Sequence, residues 1–264
     1  MLELDLRGKT AVVTGAGGSI GGGIARSFAQ CGANVALLDY NLEAAAGRAA
    51  EITKQWEVFC KAYQADVSAE AAVKEVFAAV RGDFGSIDIL CTAAGIVGDS
   101  DDYLRTPAAD MELTLKINLL GTSYCLRAAL EYMMPQKSGK IITISSIAGR
   151  MGVGDQANYA SSKAGIISLT QSVAQFAAKS NINVNCICPG YLKTAMWEEG
   201  LQFYAAELNV SPEEAWQMVA LDRIALGRAQ EPEDIGNMAA FLASELAKNI
   251  TGQAINVCGG SLFN

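Results

Sequence analysis

Short apolar segments alternate with longer helical segments along the whole chain. The short segments are apolar at nearly every position, which is typical of parallel strands covered by helices on both faces. A proline opens the last long segment, where it fits the first turn of a helix. The pattern predicts strands at residues 9–14, 34–39, 58–66, 87–92, 140–145, 182–188 and 254–257, and helices at 20–32, 42–55, 69–84, 111–134, 158–179 and 232–247.

This alternation predicts a single α/β domain over residues 1–264, with a doubly wound, Rossmann-type parallel sheet and helices on both faces. The chain is long enough to bury a substantial core. One segment, at about 190–227, breaks the rhythm and is rich in Trp, Tyr, Met and Glu. It predicts a helical insertion over a substrate pocket, with an elaboration that only packs as the alternative. Ligands of such sheets bind beyond the carboxyl ends of the strands, so candidate chemistry is expected there.

The 264 residues include 20 Lys and Arg against 28 Asp and Glu, a net charge of −8, and no histidine. The acidic balance argues against a nucleic-acid partner, because binding phosphates requires a basic surface. The lack of histidine excludes an imidazole base and removes the commonest metal ligand, so no metal site is expected. No apolar run approaches the length of a membrane span, and the amino-terminal residues do not resemble a signal peptide, so no membrane partner is expected.

The 7 cysteines are scattered along the chain without a C-x-x-C pair. This spacing is not typical of a disulfide framework or a zinc site, and it favours core thiols in a cytoplasmic protein. Cys186 and Cys188 alternate along a predicted strand, so we expect both side chains to face the same side of the sheet.

A glycine-rich turn, T-G-A-G-G-S-I-G, follows the first predicted strand at residues 14–21. Glycines let the backbone approach a pyrophosphate, and the next helix directs its amino-terminal amides at that anion. The literal G-x-G-x-x-G pattern is not matched, because Ile20 stands at its last glycine. The turn predicts a dinucleotide site formed by Gly15, Gly17, Gly18, Ser19, Ile20 and Gly21.

Asp39 ends the second predicted strand, where a carboxylate can accept both hydroxyls of an adenosine ribose. The same carboxylate would repel a 2′-phosphate, and residues 38–42 contain no Arg, so the sequence favours NAD over NADP. A helix cap or turn residue is the alternative interpretation of Asp39. Asp66 and Val67 end the third strand and are predicted to reach the adenine edge.

Tyr159 and Lys163 lie four residues apart at the start of a predicted helix, so they share one face. A tyrosine with a pKa near 10 is a poor proton donor and acceptor at neutral pH. A neighbouring ammonium is expected to lower that pKa by favouring the phenolate, which gives a general acid–base without histidine. Ser145 and Ser146 end the preceding strand, where a hydroxyl can hold a substrate oxygen.

Together these motifs resemble the short-chain dehydrogenase/reductase family over residues 8–264. The family's T-G-x-x-x-G-x-G motif is matched except that Ser19 replaces the middle glycine. The family's N-N-A-G is T-A-A-G at residues 92–95, which removes two amides that join the central strands. Ser146 lies thirteen residues before Tyr159, the family's usual spacing. The other matches are Asn118 in K-I-N-L, Tyr159 and Lys163 in Y-x-x-x-K, and Pro189, Gly190 and Thr194 in P-G-x-x-x-T.

The resemblance implies hydride transfer between NAD and an alcohol or ketone. Tyr159 would exchange the proton of the alcohol, Lys163 would hold the nicotinamide ribose, and Ser146 would orient the substrate oxygen. Asn118 would hold a water that links Lys163 to solvent. The resemblance places further cofactor contacts at Ala93, Ala94, Gly95, Pro189, Gly190, Leu192 and Thr194.

The carboxyl-terminal residues 251–264 and the M-W pair at 196–197 are similar to family members that act on small diols and polyols, nearest to acetoin/butanediol and sorbitol dehydrogenases. The expected partner is therefore a small alcohol or ketone. Family members are usually homotetramers, which implies pairing through the helices at 111–134 and 158–179. The predicted substrate contacts are Ser146, Gln156, Tyr159, Tyr191 and Trp197.

Other functions remain open from the sequence. A hydroxysteroid dehydrogenase fits the aromatic residues of the insertion, which could cover a large flat ligand. A 3-oxoacyl-carrier reductase is disfavoured by Asp39 and the acidic net charge, since such reductases usually use NADPH and a basic docking surface. A dinucleotide-sensing protein without turnover is the remaining alternative. The presence of all three catalytic candidates, Ser146, Tyr159 and Lys163, argues against it.

Overall fold

The computed structural model describes residues 4–98, 103–192 and 194–263, and for residues 195–199 it describes the backbone alone. Within these ranges seven parallel strands form one sheet in the order β3-β2-β1-β4-β5-β6-β7. The order of the strands reverses between β1 and β4, and in such sheets this point opens a crevice at the carboxyl ends of the two strands. The strands are β1 Thr10–Thr14, β2 Asn34–Asp39, β3 Cys60–Gln64, β4 Ile89–Thr92, β5 Gly139–Ile144, β6 Ile182–Pro189 and β7 Ala254–Val257.

Helices cover both faces of the sheet, because successive strand residues point to opposite sides. On one face Val13, Leu37 and Ile142 pack with α1, α2 and α9, and on the other Val12 and Leu90 pack with α3, α5 and α6. The predicted doubly wound fold with helices on both faces is confirmed. The helices are α1 Ser19–Gln30, α2 Leu42–Gln55, α3 Glu70–Phe84, α4 Ala108–Leu115, α5 Thr122–Gln136, α6 Ala157–Ala177, α7 Ala195–Leu208, α8 Pro212–Val219 and α9 Pro232–Ala243.

The helix predicted at 111–134 is wrong in its bounds and its regularity. It begins at Ala108, ends at Gln136, and contains a π-helical segment, Lys116–Gly121, between α4 and α5. Gly121 closes this segment against the chain after β3, where a Cβ would lie 2.9 Å from a methyl carbon of Val67. The wider π turn is a common device at functional sites, and here it carries the fully buried Asn118.

Other element bounds differ from the prediction at their ends. β3 is shorter than predicted, and α6 and α9 each end earlier, followed by 3₁₀ turns at Ala178–Ser180 and Glu245–Ala247. Such tightened last turns are common at helix ends and carry little sequence signal. On β6, Cys186 and Cys188 do face the same side, toward Ile166 of α6.

The segment at 190–227 forms two helices, α7 and α8, followed by a 3₁₀ turn at Leu221–Arg223. A capping box between Ser211 and Glu214 begins α8. Tyr191 and Trp216 belong to a small cluster of buried apolar side chains that lies apart from the two sheet cores. The insertion is therefore packed on itself and on the end of β6. Across the described ranges, every helix is too short or too polar to cross a membrane.

Candidate active site

The turn between β1 and α1 holds glycines where side chains do not fit. Gly15 has a φ of 65°, and a Cβ there would lie 2.7 Å from the amide nitrogen of Ala94. A Cβ on Gly21 would overlap the carbonyl oxygen of Gly15. The turn is thereby held against the end of β4, and Gly18 and Ser19 start α1 at the mouth of the crevice. The first amides of a helix have no partner within it, so they favour an anion such as a pyrophosphate.

Asp39 lies directly beside this turn. Its Oδ2 accepts a hydrogen bond from the amide of Gly17 at 2.9 Å, and its Oδ1 accepts from the amide of Asn41 at 2.8 Å. The helix cap is Asn41, which accepts from the amide of Ala44, so Asp39 does not cap α2. The carboxylate is half-buried and joins two strand ends of the crevice. Each oxygen keeps a further lone pair that can accept a ribose hydroxyl.

Asp66 and Val67 follow β3, and both make contacts within the chain. Asp66 is exposed, and its Oδ1 accepts from the amide of Ser68 at 2.9 Å in a local turn. Val67 is buried against Gly121 of the π segment. Contact of these two residues with an adenine ring stays a prediction.

The end of β4 connects the glycine-rich turn to the catalytic candidates. The amides of Ala93 and Ala94 donate to the carbonyl and the hydroxyl of Thr14, each at 3.2 Å. A Cβ on Gly95 would lie 3.1 Å from Asn118 Oδ1 and 3.4 Å from Lys163 Nζ. Thr92 stands where the family has an asparagine, and within the described residues its buried hydroxyl has no hydrogen-bond partner.

Asn118 fastens the loop after β4 to two helices. Its Nδ2 donates to the carbonyl of Ile96 at 2.8 Å and to Ser162 Oγ at 3.0 Å, and its Oδ1 accepts from the amide of Ile96 at 2.8 Å. Ser162 in turn donates to the carbonyl of Tyr159 at 2.7 Å. Both amide hydrogens of Asn118 are thus engaged with the protein, and the water relay expected of this residue stays a prediction.

Ser146, Tyr159 and Lys163 meet at the carboxyl end of β5. Lys163 Nζ donates to the carbonyl of Ile144 at 3.1 Å and lies 5.5 Å from the centroid of the Tyr159 ring. The Ser146 hydroxyl accepts from the amide of Ala148 at 3.1 Å, and its interaction with Tyr159 lowers the pKa of that phenol. Ser145 faces α6 instead and donates to the carbonyl of Lys163 at 2.7 Å. Ser146 therefore lies on the side of Tyr159, whereas its neighbour Ser145 contacts the backbone of α6.

The segment after β6 closes the site from the far side. A Cβ on Gly190 would lie 2.7 Å from Gln230 Oε1 and 2.8 Å from Cys258 Cβ. Leu192 is buried and bridges to Gln230, while Thr194 lies at the start of α7. Pro189, the last residue of β6, leads into this segment.

The predicted substrate contacts fall in three different settings. Tyr191 is buried in the cluster of the insertion. Gln156 immediately precedes α6 and follows Asp155, which accepts a hydrogen bond from Tyr204 of α7. The side chain of Trp197 lies outside the described residues.

The turn after β1 and Asp39 together fit a nicotinamide dinucleotide. Side chains are excluded from the turn at Gly15 and Gly21, and the Asp39 carboxylate lies beside it. The model of the family described as Enoyl-(Acyl carrier protein) reductase matches residues 15–261. The chain is also 35% identical over 259 residues to the 3-oxoacyl-[acyl-carrier-protein] reductase FabG of Aquifex aeolicus (strain VF5), covering 98% of this chain and 99% of that one. The chain is a short-chain dehydrogenase/reductase.

Solved structures similar to this short-chain dehydrogenase/reductase include complexes with NAD+ and with NADPH. NAD+-bound xylitol dehydrogenase superposes with a TM-score of 0.91 at 33% identity, over 96% of this chain and 99% of that one. A variant of actinorhodin polyketide ketoreductase with NADPH superposes with a TM-score of 0.91 at 29% identity, over 96% and 97%. The family resemblance and the oxidoreductase class are confirmed, and the family binds a nicotinamide dinucleotide.

The electrostatics of this dehydrogenase/reductase differ from the prediction at Tyr159. Burial raises the pKa of the Tyr159 phenol above its ordinary value, and the hydrogen bond with Ser146 acts in the opposite direction. Burial also lowers the pKa of Lys163 to about 8. The predicted net lowering of the Tyr159 pKa is wrong, because burial disfavours the phenolate and the ammonium alike. The amine also faces the ring, 5.5 Å from its centroid.

One residue of the site, Ser162, and one contact, between Tyr204 and Asp155, were not predicted from the sequence. Ser162 connects Asn118 to the Tyr159 backbone, and its signal was its place inside the Y-x-x-x-K motif. Tyr204 donates to Asp155 Oδ2 at 2.6 Å, which ties α7 to the loop before Tyr159. A contact between residues 49 positions apart leaves no local pattern in a single sequence.

Proposed function

We propose that this oxidoreductase transfers a hydride between NAD(H) and a secondary alcohol or its ketone, with a small diol, polyol or sugar-derived hydroxyketone as substrate. The observation that carries the cofactor choice is the hydrogen bond from Gly17 to Asp39, at 2.9 Å. It holds a carboxylate beside the turn that would cradle the pyrophosphate. There the carboxylate can accept ribose hydroxyls, and it would repel the phosphate that distinguishes NADP from NAD.

The cofactor supplies or accepts the hydride, and the residues of the chain handle the proton. Tyr159 gives its hydroxyl proton to the developing alkoxide in reduction, or takes the alcohol proton in oxidation. Ser146, at the carboxyl end of β5, holds the substrate oxygen in place beside the phenol. Lys163 presents its amine beneath the phenol, where it can hold the nicotinamide ribose. Asn118 keeps the loop after β4 in position through Ile96.

The substrate side of the site supports a small polar molecule. The loop before Tyr159 carries Asp155 and Gln156, and Tyr204 of α7 donates to Asp155 Oδ2 at 2.6 Å. These groups can exchange hydrogen bonds with the hydroxyls of a polyol. The similarity to a xylitol dehydrogenase over nearly the whole chain points the same way.

A 3-oxoacyl-carrier reductase is the second candidate. It is favoured by relatives of that name, at 35% and 38% identity in Aquifex aeolicus and Staphylococcus aureus. Asp39 and the net charge of −8 count against it. Cationic side chains would be needed to bind an acidic carrier protein and the 2′-phosphate of NADPH. Hydroxysteroid oxidation remains a further alternative.

One panel separates these functions. The full-length protein is assayed in both directions with NAD(H) and NADP(H) on a butanediol, acetoin, xylitol, sorbitol, an acetoacetyl thioester and a hydroxysteroid. We expect the highest kcat/KM with NAD(H) and a diol or polyol. A preference for NADPH with the thioester would replace this proposal with the carrier reductase. Tight NADH binding without turnover on any substrate would favour a sensing protein.

We propose a second copy of this chain as the protein partner, in a homotetramer. The faces of α4, the π segment and α6 leave Leu113, Leu120 and Phe176 at least 45% exposed. Light scattering coupled to size exclusion is expected to give four copies, and Phe176→Glu is expected to reduce that number. A monomer at all concentrations would contradict this assembly. The cytoplasm, where thiols stay reduced, is the compartment that suits seven free cysteines.

A further inference from the structure

A buried hydroxyl lies between the two catalytic candidates of α6, and the proposed mechanism gives it no part. Ser162 immediately precedes Lys163, is fully buried, and donates to the carbonyl of Tyr159 at 2.7 Å. Serines inside helices often bond to a carbonyl three or four residues earlier, so this contact alone indicates only local helix chemistry. Ser162 differs because its oxygen has a second partner, which belongs to another element.

The second partner is Asn118 of the π segment. Asn118 Nδ2 donates to Ser162 Oγ at 3.0 Å, across 44 residues of sequence. A hydroxyl has one hydrogen, and that of Ser162 is used on the Tyr159 carbonyl, so it offers only lone pairs to Asn118. Asn118 must therefore present its nitrogen to Ser162 and turn its Oδ1 toward the amide of Ile96, which donates to it at 2.8 Å. The hydroxyl thus determines the orientation of the Asn118 amide.

The Tyr159 carbonyl joins this contact to both catalytic candidates. Besides the Ser162 hydroxyl, a carbonyl in a helix accepts from the amide four residues later, which here belongs to Lys163. One oxygen therefore connects the Ser162 hydroxyl with the backbones of Tyr159 and Lys163. The position of Asn118 is thereby coupled to the turn of α6 that carries the phenol and the amine.

The other end of the connection is the loop after β4. Asn118 binds both the amide and the carbonyl of Ile96 in this loop, each at 2.8 Å. A Cβ on Gly95 would lie 3.1 Å from Asn118 Oδ1 and 3.4 Å from Lys163 Nζ, so the loop also lies directly against the amine. The loop, the π segment and α6 therefore meet at one point, where Ser162 supplies a polar contact between the last two.

We propose that Ser162 is a positioning residue, whose hydroxyl orients the Asn118 amide and so fixes the loop after β4 relative to the phenol and amine of α6. Its consequence for catalysis rests on the proposed function, whereas its consequence for Asn118 does not. In the proposed reaction the phenol must meet the substrate oxygen at hydrogen-bond distance. A misplacement of about 1 Å can reduce the rate about 100-fold, so the fixed geometry matters.

Steady-state kinetics of Ser162→Ala test the catalytic part, with the substrate and cofactor that the wild type prefers. We expect kcat to fall roughly 10- to 100-fold and KM for the substrate to change less than about threefold, because the variant misplaces the reacting groups and removes no substrate contact. If Ser162→Ala does not fold, Ser162→Cys serves instead, since a thiol fills the space and is a weaker donor and acceptor. An unchanged kcat in the folded variant would overturn the proposal.

Thr170→Val is the matched control. Thr170 lies on the same helix and is fully buried, and its hydroxyl also has two partners, the carbonyl of Ile166 and the hydroxyl of Thr143, each at 2.7 Å. Thr170 lies about two turns beyond Lys163, away from the site. We expect urea unfolding to show a loss of stability in both variants, and kcat to fall in Ser162→Ala alone. An equal fall of kcat in Thr170→Val would reduce the role of Ser162 to general stability and refute the proposal.

The Asn118 side chain gives a readout that does not depend on activity. Nuclear magnetic resonance of isotope-labelled protein, with the side-chain amide assigned from Asn118→Ala, follows the exchange of its two hydrogens with solvent. We expect exchange roughly 3- to 10-fold faster in Ser162→Ala than in wild type or Thr170→Val, because one hydrogen loses its acceptor. Equal exchange in wild type and Ser162→Ala would contradict the inference. If the wild type is inactive on every alcohol and ketone tested, the proposed function fails, and this exchange still decides the inference.

Discussion

The carboxylate of Asp39 accepts a hydrogen bond from the amide of Gly17 at 2.9 Å, across 22 residues of sequence. The bond joins the carboxyl end of β2 to the turn after β1, so the two parts of a dinucleotide site are held as one unit. A Cβ on Gly17 would lie 3.1 Å from the same carboxylate oxygen, so glycine leaves room for this contact. Cofactor choice is thereby coupled to the shape of the turn.

Replacing this carboxylate is expected to change the cofactor preference. In Asp39→Ser we expect kcat/KM with NAD to fall roughly 10- to 100-fold, because a hydrogen bond to a charged group contributes about 1.5–3 kcal/mol. We expect kcat/KM with NADP to rise, since the repulsion of a 2′-phosphate is removed. Steady-state assays with both dinucleotides measure the ratio. Glu57→Gln, at an exposed carboxylate in the turn before β3, should leave the ratio unchanged. An unaltered ratio in Asp39→Ser would remove the basis for NAD.

The glycines of the turn are expected to differ in their tolerance of a methyl group. Gly21→Ala should lower the free energy of unfolding by about 1–3 kcal/mol or more, because its Cβ would overlap the carbonyl oxygen of Gly15. Gly18→Ala should change it by less than about 1 kcal/mol, since its φ is −75° and its nearest Cβ contact is 3.4 Å away. Urea unfolding of both variants measures the difference. Equal losses would show that the turn relaxes freely.

Much of this site follows from local sequence, and the remainder depends on contacts between distant segments. The turn at Gly15 and the spacing of Tyr159 and Lys163 are local signals, so the strand ends and the catalytic candidates were predictable. The hydrogen bond from Tyr204 to Asp155 and that from Asn118 to Ser162 join segments that only the folded chain brings together.

The π segment and the Tyr159 pKa show two other limits. The extra width of the helix at Lys116–Gly121 depends on the packing of Gly121 against the chain after β3, and helical periodicity does not record it. The direction of the Tyr159 pKa depends on how deeply phenol and amine are buried, whereas their sequence spacing shows only that they are neighbours.

Removing the phenol hydroxyl is expected to abolish most turnover and leave cofactor binding intact. In Tyr159→Phe we expect kcat to fall roughly 100- to 10,000-fold, the range of a lost general acid–base. The dissociation constant of NADH, followed by its fluorescence, should change less than threefold or so. Tyr63→Phe is the control, because that phenol binds Asp83 at the sheet edge. Retained turnover in Tyr159→Phe would refute the role given to this residue.

The buried amine of Lys163 predicts a particular pH dependence of stability. Its pKa is about 8 in the fold and near 10.4 in an unfolded chain, so between these values the unfolded state binds more protons. The contribution of this residue to stability therefore rises with pH across that window, and the cost of burying the ammonium is present in full below it.

Lys163→Met removes this titration and keeps the length of the side chain. Its free energy of unfolding relative to wild type should be most favourable below about pH 8 and should decline as the pH approaches 10. Urea unfolding of both proteins across this range cancels the titrations that they share. A difference that is constant with pH, or that grows with it, would contradict the burial of a titrating amine.

Two threonines in register on neighbouring strands are expected to respond in opposite directions to the same change. Thr92 of β4 pairs with Thr143 of β5, and both are buried. The hydroxyl of Thr143 is hydrogen-bonded to Thr170 at 2.7 Å, whereas that of Thr92 has no partner in the described part of the chain.

A buried hydroxyl without a partner costs stability, and one with a partner contributes about 1 kcal/mol. Thr92→Val should therefore raise the free energy of unfolding by about 1 kcal/mol, and Thr143→Val should lower it by a similar amount. Urea unfolding measures both, with valine keeping the shape of the side chain. Loss of stability in both variants would mean that the Thr92 hydroxyl is bonded after all. A gain at Thr92 would show that the buried hydroxyl of Thr92, at the end of β4, carries a stability cost.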